Sequence, residues 1–263
     1  MSDPGLEPAA GPAPGGGAPA GGAARAEPWR GAAGPLFDRN AARYDSVNRI
    51  ITFGGDRRWR RWLAGRAPVC AGARVLDACA GTGLMGLELA ARGARVTLLD
   101  ASDGMLRLAQ RRAQTRGLRV DVVVGDLEEI AAGDGSQPPA LPPGGFDLVS
   151  MAFGLRYFVR PAETLAALRT TLAPDGRLLL VEAVCPPPGL VGRAAGVYFF
   201  EVAPRVASLL AGRRELYESL TASVRALGDA ERVRGLLRAA GFALLEERTW
   251  AGGLVFATVA RPA

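Results

Sequence analysis

The stretch RVLDACAGTGL, at residues 74–84, restricts the fold of this chain more than any other part of it. Its first apolar residues favour a buried β-strand, and that strand ends at Asp77. Gly81 and Gly83 allow the backbone to turn and to pass close to a ligand, which a side chain would prevent. Helical spacing follows from Leu84 onward. The stretch predicts a strand, a binding loop and a helix, with a turn that only packs as the alternative.

Two further acids stand at the ends of the next predicted strands. Asp100 closes ARVTLLD, and Asp126 follows the strand in VVVGDLEEI. Because the carboxyl ends of parallel strands share one edge of a sheet, these acids and Asp77 are expected to lie near one another, where ligands bind. Carboxylates gathered at one edge repel each other unless a cationic or polyhydroxy ligand lies among them. The three acids therefore predict a nucleoside site.

Two ligands compete for the glycine loop. Residues 81–86, GTGLMG, match the dinucleotide pattern G-x-G-x-x-G, which indicates NAD. In a dinucleotide fold, however, the first glycine directly follows the strand, whereas Ala78, Cys79 and Ala80 intervene here and an acid ends the strand. That placement favours S-adenosylmethionine (SAM), since an acid beside the loop attracts its cationic sulfonium.

The rest of the chain alternates between strand and helix patterns. Strands are predicted at 73–77, 95–99, 119–124, 146–151, 176–184, 242–248 and 253–260, and helices at 82–92, 102–115, 161–172 and 229–240. This order predicts an α/β fold with a mostly parallel sheet, and the last two strands are expected to form a hairpin at its edge. The apolar segment 190–211 has helical spacing and predicts a cap over the ligand edge.

The composition changes sharply near residue 33. Residues 1–33 are dominated by Gly, Ala and Pro, so they can bury little and are expected to be a disordered, dispensable tail. Residues 34–263 are expected to form one catalytic domain, with a helical lid at 34–68 and a helical cap insertion at 189–225. No leader pattern and no apolar run long enough to span a bilayer are present, which predicts a cytoplasmic protein.

The charge pattern gives little support to a nucleic-acid partner. The formal net charge is +6, but all 32 basic residues are Arg, so a GC-rich genome is a sufficient explanation for much of the excess. No basic stripe interleaved with stacking aromatics occurs outside residues 57–62. The chain has no His, and its three Cys lack metal-ligand spacing, which argues against a metal site and against His-based catalysis.

Residues 56–67 form a basic amphipathic helix in the sequence pattern. Trp59, Trp62 and Leu63 share one stripe, and arginines cover the remaining surface. One interpretation is a surface helix docked by its tryptophans. The other is an interfacial helix that contacts anionic lipid headgroups at the inner face of the cell membrane. Both stay open at this point, as does the formation of a homodimer.

Five stretches between about residues 37 and 187 resemble the ubiquinone/menaquinone biosynthesis C-methyltransferase family. They are FDRNAARYDSVNRIITFGGDRRWRR, VLDACAGTG, GDLEEI, FDLVSMAFGLRYF and LAPDGRLLLVEAVCPP. In the first, the family pattern maps to Tyr44, Asp45, Asn48, Thr52, Gly54, Trp59 and Arg60. The resemblance implies a Rossmann-like SAM-dependent methyltransferase fold, with helices on both faces of a seven-stranded, mostly parallel sheet and an antiparallel last strand.

The resemblance also implies an activity, the C-methylation of a prenylated quinol, with demethylmenaquinol as the first candidate and SAM as the methyl donor. The alternatives are a SAM-dependent methyltransferase for another small aromatic and a non-catalytic SAM-binding subunit of a quinone-synthesis complex. The chain departs from the family pattern at Asp56, where a histidine is usual, and at Leu84, Ala152 and Tyr157.

The candidate site residues fall into three groups. The cofactor is expected to contact Asp77, Gly81, Thr82, Gly83, Asp100, Ala101, Met105, Asp126 and Leu127. The substrate is expected to contact Tyr44, Asn48, Phe153, Tyr198 and Tyr217. The catalytic candidates are Arg156 and Asp45. Arg156 would place a cation beside the oxygen of the ionising quinol, and the alternative is that it braces the lid by pairing with an acid such as Asp45. The general base is left open between Asp45, Asp126 and Tyr44.

Overall fold

A computed structural model describes residues 41–68, 70–132, 141–211 and 214–263. The predictions for the tail at 1–33 and for the start of the lid at 34–40 lie outside these residues. Seven strands form one sheet in the order β3-β2-β1-β4-β5-β7-β6. The strands are β1 Arg74–Ala78, β2 Arg95–Asp100, β3 Val120–Val124, β4 Phe146–Ala152, β5 Leu172–Ala183, β6 Phe242–Trp250 and β7 Val255–Pro262.

The sheet is parallel except at β7, which runs antiparallel to both of its neighbours, β5 and β6. The predicted mostly parallel, seven-stranded α/β fold with an antiparallel last strand is therefore confirmed. The predicted closing hairpin is also confirmed, but its second strand lies inside the sheet and β6 forms the edge. β7 suits this position because its residues from Val255 to Ala260 are all buried.

Helices cover both faces of the sheet. They are α1 Ala41–Ile51, α2 Gly55–Ala64, α3 Leu84–Ala90, α4 Asp103–Thr115, α5 Leu127–Ala132, α6 Pro161–Thr171, α7 Leu190–Val197, α8 Ala203–Ala211, α9 Arg214–Leu227 and α10 Ala230–Ala239. Alternating strand residues point to opposite faces. Leu76 belongs to the core shared with α6 and α10, while its neighbour Val75 belongs to the core shared with α2, α3 and α4.

The strand register brings the three predicted acids to one edge. Leu76 in β1 pairs with Thr97 in β2, and Leu98 in β2 pairs with Val122 in β3. All three strands run in the same direction, so Asp77, Asp100 and Asp126 emerge on the same side of the sheet. The loops and helices that follow these strand ends build the site.

Most element boundaries differ from the sequence prediction by one or two residues, and two of the differences have a visible physical cause. Helix α3 begins at Leu84 rather than at residue 82, because Gly83 adopts a left-handed conformation with φ 76° and cannot continue a right-handed helix. Strand β5 begins at Leu172 rather than at residue 176, because Leu172 already pairs with Phe146 before the register shifts between Phe146 and Leu148.

The lid and the cap pack on each other. The cap contains α7, a π-helical segment at Tyr198–Val202, α8 and α9. Val47 and Ile51 of α1 form a small apolar cluster with Ala203 and Ala207 of α8. The two sets of helices therefore contact each other through this cluster.

Helix α2 is docked on the domain by its tryptophans. Trp59 is 8% exposed, and its ring centroid lies 6.2 Å from that of Phe153. Trp62 packs edge-on against Trp250 at 5.1 Å, and Leu63 is completely buried. The docked interpretation holds for Trp59, which is buried, whereas Trp62 is half-buried. Contact of α2 with a lipid surface stays a prediction. Within the described ranges, no helix is both long enough and apolar enough to cross a bilayer.

Candidate active site

The glycine loop is shaped by two glycines with different tasks. Gly81 has φ 53°, and a Cβ built there would meet no atom within 4 Å. Gly83 has φ 76°, and its Cβ would lie only 2.8 Å from Cβ of Ala109 in α4. Gly81 thus keeps the loop open toward the adjoining cavity, whereas Gly83 allows α4 to pack closely against the start of α3.

Asp77 is buried inside the site and anchors two elements. Its Oδ2 accepts a hydrogen bond from the backbone N–H of Gly86 at 2.8 Å, and its Oδ1 accepts one from Oγ of Ser150 at 2.6 Å. The side chain is 1% exposed. Burial raises the pKa of Asp77 to about 7, although the hydrogen bonds from Ser150 and Gly86 act in the opposite direction. The carboxyl therefore titrates near neutral pH.

Asp100 and Asp126 hold the loops that follow their strands. Asp100 accepts hydrogen bonds from the backbone N–H groups of Gly81 and Ser102, both at 2.8 Å. Asp126 accepts one from the N–H of Glu128 at 2.8 Å. Asp100 thereby links the glycine loop to the start of α4, and its position is fixed from both sides.

The lid reaches the glycine loop through Asp45. Oγ1 of Thr82 donates a hydrogen bond to Oδ1 of Asp45 at 3.0 Å. Nη1 of Arg112, in α4, lies 2.6 Å from Oδ2 of Asp45 and also donates to the carbonyl oxygen of Thr82 at 3.3 Å. Asp45 is therefore tied to Arg112 rather than to Arg156.

A cavity of about 110 Å³ lies at this edge of the sheet. Eight of the predicted cofactor residues line it: Asp77, Gly81, Thr82, Asp100, Ala101, Met105, Asp126 and Leu127. Gly83 does not line this cavity; it packs instead against Ala109 of α4. Asp45 and Glu128 add carboxylates to the wall, and Arg60 is the one basic side chain among its described lining residues. The wall suits a ligand that carries positive charge and hydroxyl groups.

A second, mostly apolar cavity of about 310 Å³ adjoins the first. Phe153 and Arg60 line both cavities. The predicted substrate residues Asn48, Phe153 and Tyr198 line this cavity, together with Ile51, Trp59, Phe199, Leu220 and Leu254. The hydroxyl of Tyr198 donates to the carbonyl oxygen of Ile51 at 2.7 Å, and burial raises the pKa of that hydroxyl. The side chains of Tyr44 and Tyr217 lie outside what the structure describes.

Phe153 forms the partition between the two cavities. Its φ of 66° places a non-glycine residue in the left-handed region, which costs energy and persists only where surrounding contacts impose it. Its ring lies 6.2 Å from that of Trp59, and the guanidinium of Arg60 lies 5.4 Å from the ring centroid. Arg60 is held in turn by an ion pair with Asp56 at 2.9 Å.

Arg156 lines the apolar cavity, and its guanidinium forms an ion pair with Glu182 of β5. Nη1 of Arg156 lies 2.6 Å from Oε1 of Glu182 and also donates to the carbonyl oxygen of Phe153 at 2.6 Å. Nη2 donates to the hydroxyl of Tyr157 at 3.2 Å. The alternative that Arg156 braces the lid through Asp45 is wrong, since its carboxylate partner is Glu182.

Sequence reasoning missed five residues of this arrangement as site residues: Arg60, Glu182, Arg112, Ser150 and Asp56. Glu182 stands within the apolar run of a buried strand, LLLVEAV, where an isolated acid is a signal of a buried partner. The sequence pattern places Arg112 on the solvent-facing side of an amphipathic helix, so it gave no signal of a binding role. Asp56 was noted only for departing from the family pattern, yet it lines the apolar cavity.

The comparison with known protein families decides the assignment. The ubiE/COQ5 methyltransferase family matches residues 30–261. This chain belongs to that family. A demethylmenaquinone methyltransferase of Clavibacter sepedonicus is 37% identical over 220 residues, which cover 84% of this chain and 86% of the relative. The enzyme of that name from Thermus thermophilus is 37% identical over 214 residues, covering 81% and 93%.

More distant relatives and solved structures agree with the family. The ubiquinone/menaquinone biosynthesis C-methyltransferase UbiE of Shewanella sediminis is 30% identical, covering 84% of this chain and 86% of the relative. Among solved structures, a SAM-dependent methyltransferase from Aquifex aeolicus superposes with a TM-score of 0.53 at 16% identity, covering 85% and 97% of the two chains. The cyclase SpnF superposes with a TM-score of 0.57 at 19% identity, covering 88% and 95%. At such identities the likeness concerns the fold alone, which hosts more than one reaction.

As a member of this family, the chain is a SAM-dependent methyltransferase, so the ligand of the glycine loop is SAM rather than NAD. The residues of the cavity fit this cofactor. Gly81 leaves the loop wall open, and the acids at the strand ends offer acceptors to hydroxyl groups and a negative field to a sulfonium. Arg60 offers a partner to the carboxylate of the methionyl group.

Proposed function

We propose that this chain transfers a methyl group from SAM to a ring carbon of a prenylated quinol, and that demethylmenaquinol is the substrate. The observation that carries the proposal is the apolar cavity of about 310 Å³ that meets the cofactor cavity at Phe153 and Arg60. A prenylated ring system is apolar over most of its surface, and such a cavity matches it. The names of the Clavibacter and Thermus relatives support demethylmenaquinol as the specific quinol.

The walls of the cofactor cavity suggest how each part of SAM is held. Arg60 binds the carboxylate, since it is the basic side chain among the described lining residues. Asp45, fixed by Thr82 and Arg112, faces the ammonium group. Asp100, which ends β2, accepts hydrogen bonds from the ribose hydroxyls while it keeps the N–H of Gly81 as a donor. These assignments move Asp45 from catalysis to cofactor binding.

When bound, SAM supplies an electrophilic methyl group on a positively charged sulfur. The protein must align the quinol carbon with that methyl group, and alignment of this kind can supply about 7–11 kcal/mol of barrier lowering. Phe153 performs this task because its ring is fixed by Trp59 and Arg60 at the junction of the two cavities. These contacts offset the cost of the left-handed backbone at Phe153.

The quinol carbon becomes nucleophilic when the neighbouring hydroxyl loses its proton. Methyl transfer would break the sulfur–methyl bond, and the methylated carbon would then lose its ring hydrogen as a proton, which restores the aromatic ring and the hydroxyl. Arg156, fixed by Glu182, places its guanidinium at the wall of the apolar cavity and stabilises the oxygen as charge develops. Asp56 accepts the proton, because it is the one carboxylate among the described residues that line this cavity. It is 8% exposed and is held by Thr52 and Arg60. This proposal replaces the three candidates for the base left open by the sequence.

The test uses the purified full chain, SAM labelled in its methyl group and a panel of demethylquinols under reducing conditions. Label in the ring of demethylmenaquinol supports the proposal. Transfer to non-quinol aromatics alone, or SAM binding without transfer to any acceptor, overturns it in favour of the two alternatives named above. The variant Asp56→Asn keeps the size of the side chain, and its kcat should fall by about 10²–10⁴, as is typical when a general base is lost. Because Asp56 also holds Arg60, SAM affinity is measured in the same variant, so that loss of the base is separated from loss of cofactor binding.

We further propose that the protein works in the cytoplasm at the inner face of the membrane, where a prenylated substrate resides. Two apolar side chains support this placement, since Phe53 is 83% exposed and Ile50 is 49% exposed. Phe53 also lines the apolar cavity, so the protruding side chain stands at an entrance for a prenyl tail. Fractionation of cells into soluble and membrane parts tests the placement. A homodimer stays a prediction, for which sedimentation of the purified chain is the test.

A further inference from the structure

A third cavity, of about 400 Å³, lies between the lid and helix α4. Its wall is dominated by arginines contributed by three helices. They are Arg49 of α1, Arg57, Arg60 and Arg61 of α2, Arg112 of α4, and Arg116, which directly follows α4. We name it the arginine cavity. It shares Asp56 and Arg60 with the apolar cavity and therefore lies directly beside the proposed substrate site.

The acids of this wall are already engaged. Asp56 pairs with Arg60, Asp45 pairs with Arg112, and Glu88 pairs with Arg92, which does not line the cavity. The other four lining arginines, Arg49, Arg57, Arg61 and Arg116, have no carboxylate partner among the residues that the structure describes. The cavity therefore gathers positive charge that its own wall does not balance.

This gathering of charge is unfavourable in the absence of a ligand. Arg57 and Arg61 are four residues apart in α2, and like charges at that spacing destabilise a helix. A multivalent anion removes the repulsion. Guanidinium groups bind phosphate oxygens in pairs, which makes a phosphate group the anion that best matches a wall of arginines.

The rim of the cavity indicates what carries the phosphate. The turn between α1 and α2 brings Gly54 into the wall of the arginine cavity, while the adjacent Phe53 lines the apolar cavity and protrudes. Charged and apolar surfaces thus meet at one turn, as they do at the headgroup layer of a membrane. We propose that the arginine cavity binds a phosphate group and that an anionic lipid headgroup supplies it. The choice of a lipid source rests on the proposed function, which needs a membrane-borne substrate.

The experiment compares two triple variants of the full chain. In the cavity variant, Arg57→Gln, Arg61→Gln and Arg116→Gln remove three unpaired charges from the wall. In the control variant, Arg58→Gln, Arg111→Gln and Arg119→Gln remove three exposed arginines that do not line the cavity. Both variants lower the net charge equally and replace exposed side chains, so both should fold, and the cavity variant should melt at the same temperature as the control or slightly above it because repulsion between its arginines is removed.

Flotation with vesicles of phosphatidylglycerol and phosphatidylcholine is the first measurement, with pure phosphatidylcholine vesicles as the neutral reference. Each basic residue near an anionic surface strengthens binding about fivefold, so loss of three should weaken vesicle binding by the cavity variant about 10²-fold. The control variant should retain most of the wild-type binding. Equal binding of the two variants, with no difference in the second measurement, overturns the proposal.

Calorimetry with inorganic pyrophosphate is the second measurement, and it separates the two sources of phosphate. Pyrophosphate binding that the cavity variant loses, without any vesicle binding by the wild type, supports the phosphate site and overturns the lipid source. Methylation of a short-chain, water-soluble demethylquinol is assayed in parallel. If no quinol is methylated, the proposed function fails, whereas flotation and calorimetry still report on the arginine cavity by themselves.

Discussion

Nη1 of Arg156 lies 2.6 Å from Oε1 of Glu182, in an ion pair whose side chains are 1% and 0% exposed. Removing one member of such a pair leaves the other charge buried without compensation, which costs about 3–5 kcal/mol. Arg156→Ala and Glu182→Gln should therefore both lower the free energy of unfolding by several kcal/mol, measured by urea denaturation. Arg160→Ala is the matched control, since Arg160 is exposed in the same segment. An Arg156→Ala protein as stable as the control would contradict the energetic role of the pair.

Arg156→Lys separates chemistry from folding, because it keeps the charge but loses the planar fork. If Arg156 acts on the developing oxyanion, kcat of the folded variant should fall by about 10²–10³ while SAM affinity stays unchanged. The rate of Arg156→Ala, measured on its folded fraction, should recover as pH rises toward about 10, where a phenol ionises unaided. A rise in KM alone, or equal weakening of SAM and quinol binding, would show that Arg156 only braces the site.

Asp100→Ala should abolish SAM binding, since Asp100 faces the cofactor cavity and positions the N–H of Gly81. Asp103→Ala is the control. That residue lies at the start of α4, makes an exposed ion pair with Arg107, and does not line the cavity. Calorimetry with SAM and, separately, with NAD measures the effect. Unchanged SAM affinity in the Asp100 variant would refute its role in binding the ribose.

Asp77 makes stability depend on pH. Its pKa is raised to about 7 by burial, so between about pH 4 and pH 7 the folded protein keeps a proton that the unfolded chain releases. Stability from this group is complete below the unfolded pKa and is lost as pH rises through the folded value. The free energy of unfolding of the wild type, relative to Asp77→Asn, should therefore fall by about 1.4 kcal/mol per pH unit across this window. Parallel urea titrations at several pH values would show it, and a constant difference would contradict the raised pKa.

Gly81 and Gly83 form a matched pair of tests. Both have positive φ, so an alanine at either position costs about 1–2 kcal/mol of backbone strain. At Gly83 the new methyl group would also lie 2.8 Å from Cβ of Ala109, which adds an overpacking cost of about 1–3 kcal/mol. Thermal melting should show the larger loss for Gly83→Ala. Calorimetry should show that Gly81→Ala loses more SAM affinity than Gly83→Ala, relative to the stability that each variant loses. The reverse order would refute the assignment of Gly81 to the cavity wall and of Gly83 to helix packing.

The sequence predicted the strand-end acids because short-range signals fix them. Each of Asp77, Asp100 and Asp126 directly follows an apolar run, and parallel topology places such positions at one edge. The same kind of signal predicted α2, since its tryptophans recur at helical spacing. Whether they face the protein or a membrane could not be predicted, because both surfaces are apolar and the pattern is identical.

The pairings within the site could not be predicted, because they join elements far apart in the chain. Arg156 finds Glu182 only after β4 and β5 align, and Arg112 finds Asp45 only after the lid docks on α4. From charge alone, any of the chain's carboxylates could have been the partner of Arg156. The choice among them depends on which side chains lose contact with water, and that is decided by tertiary packing.

Phe153 and Arg60 line the cofactor cavity and the apolar cavity at once, so the two ligands have a wall in common. A ligand bound in either cavity therefore contacts side chains that the other ligand also contacts. Thermodynamic linkage then makes the effect mutual: if SAM tightens quinol binding by some factor, the quinol tightens SAM binding by the same factor. Phe153 and Arg60 are therefore the side chains through which binding of the donor can change the affinity for the acceptor. Two titrations measure this coupling: SAM with and without the quinol, and the quinol with and without SAM.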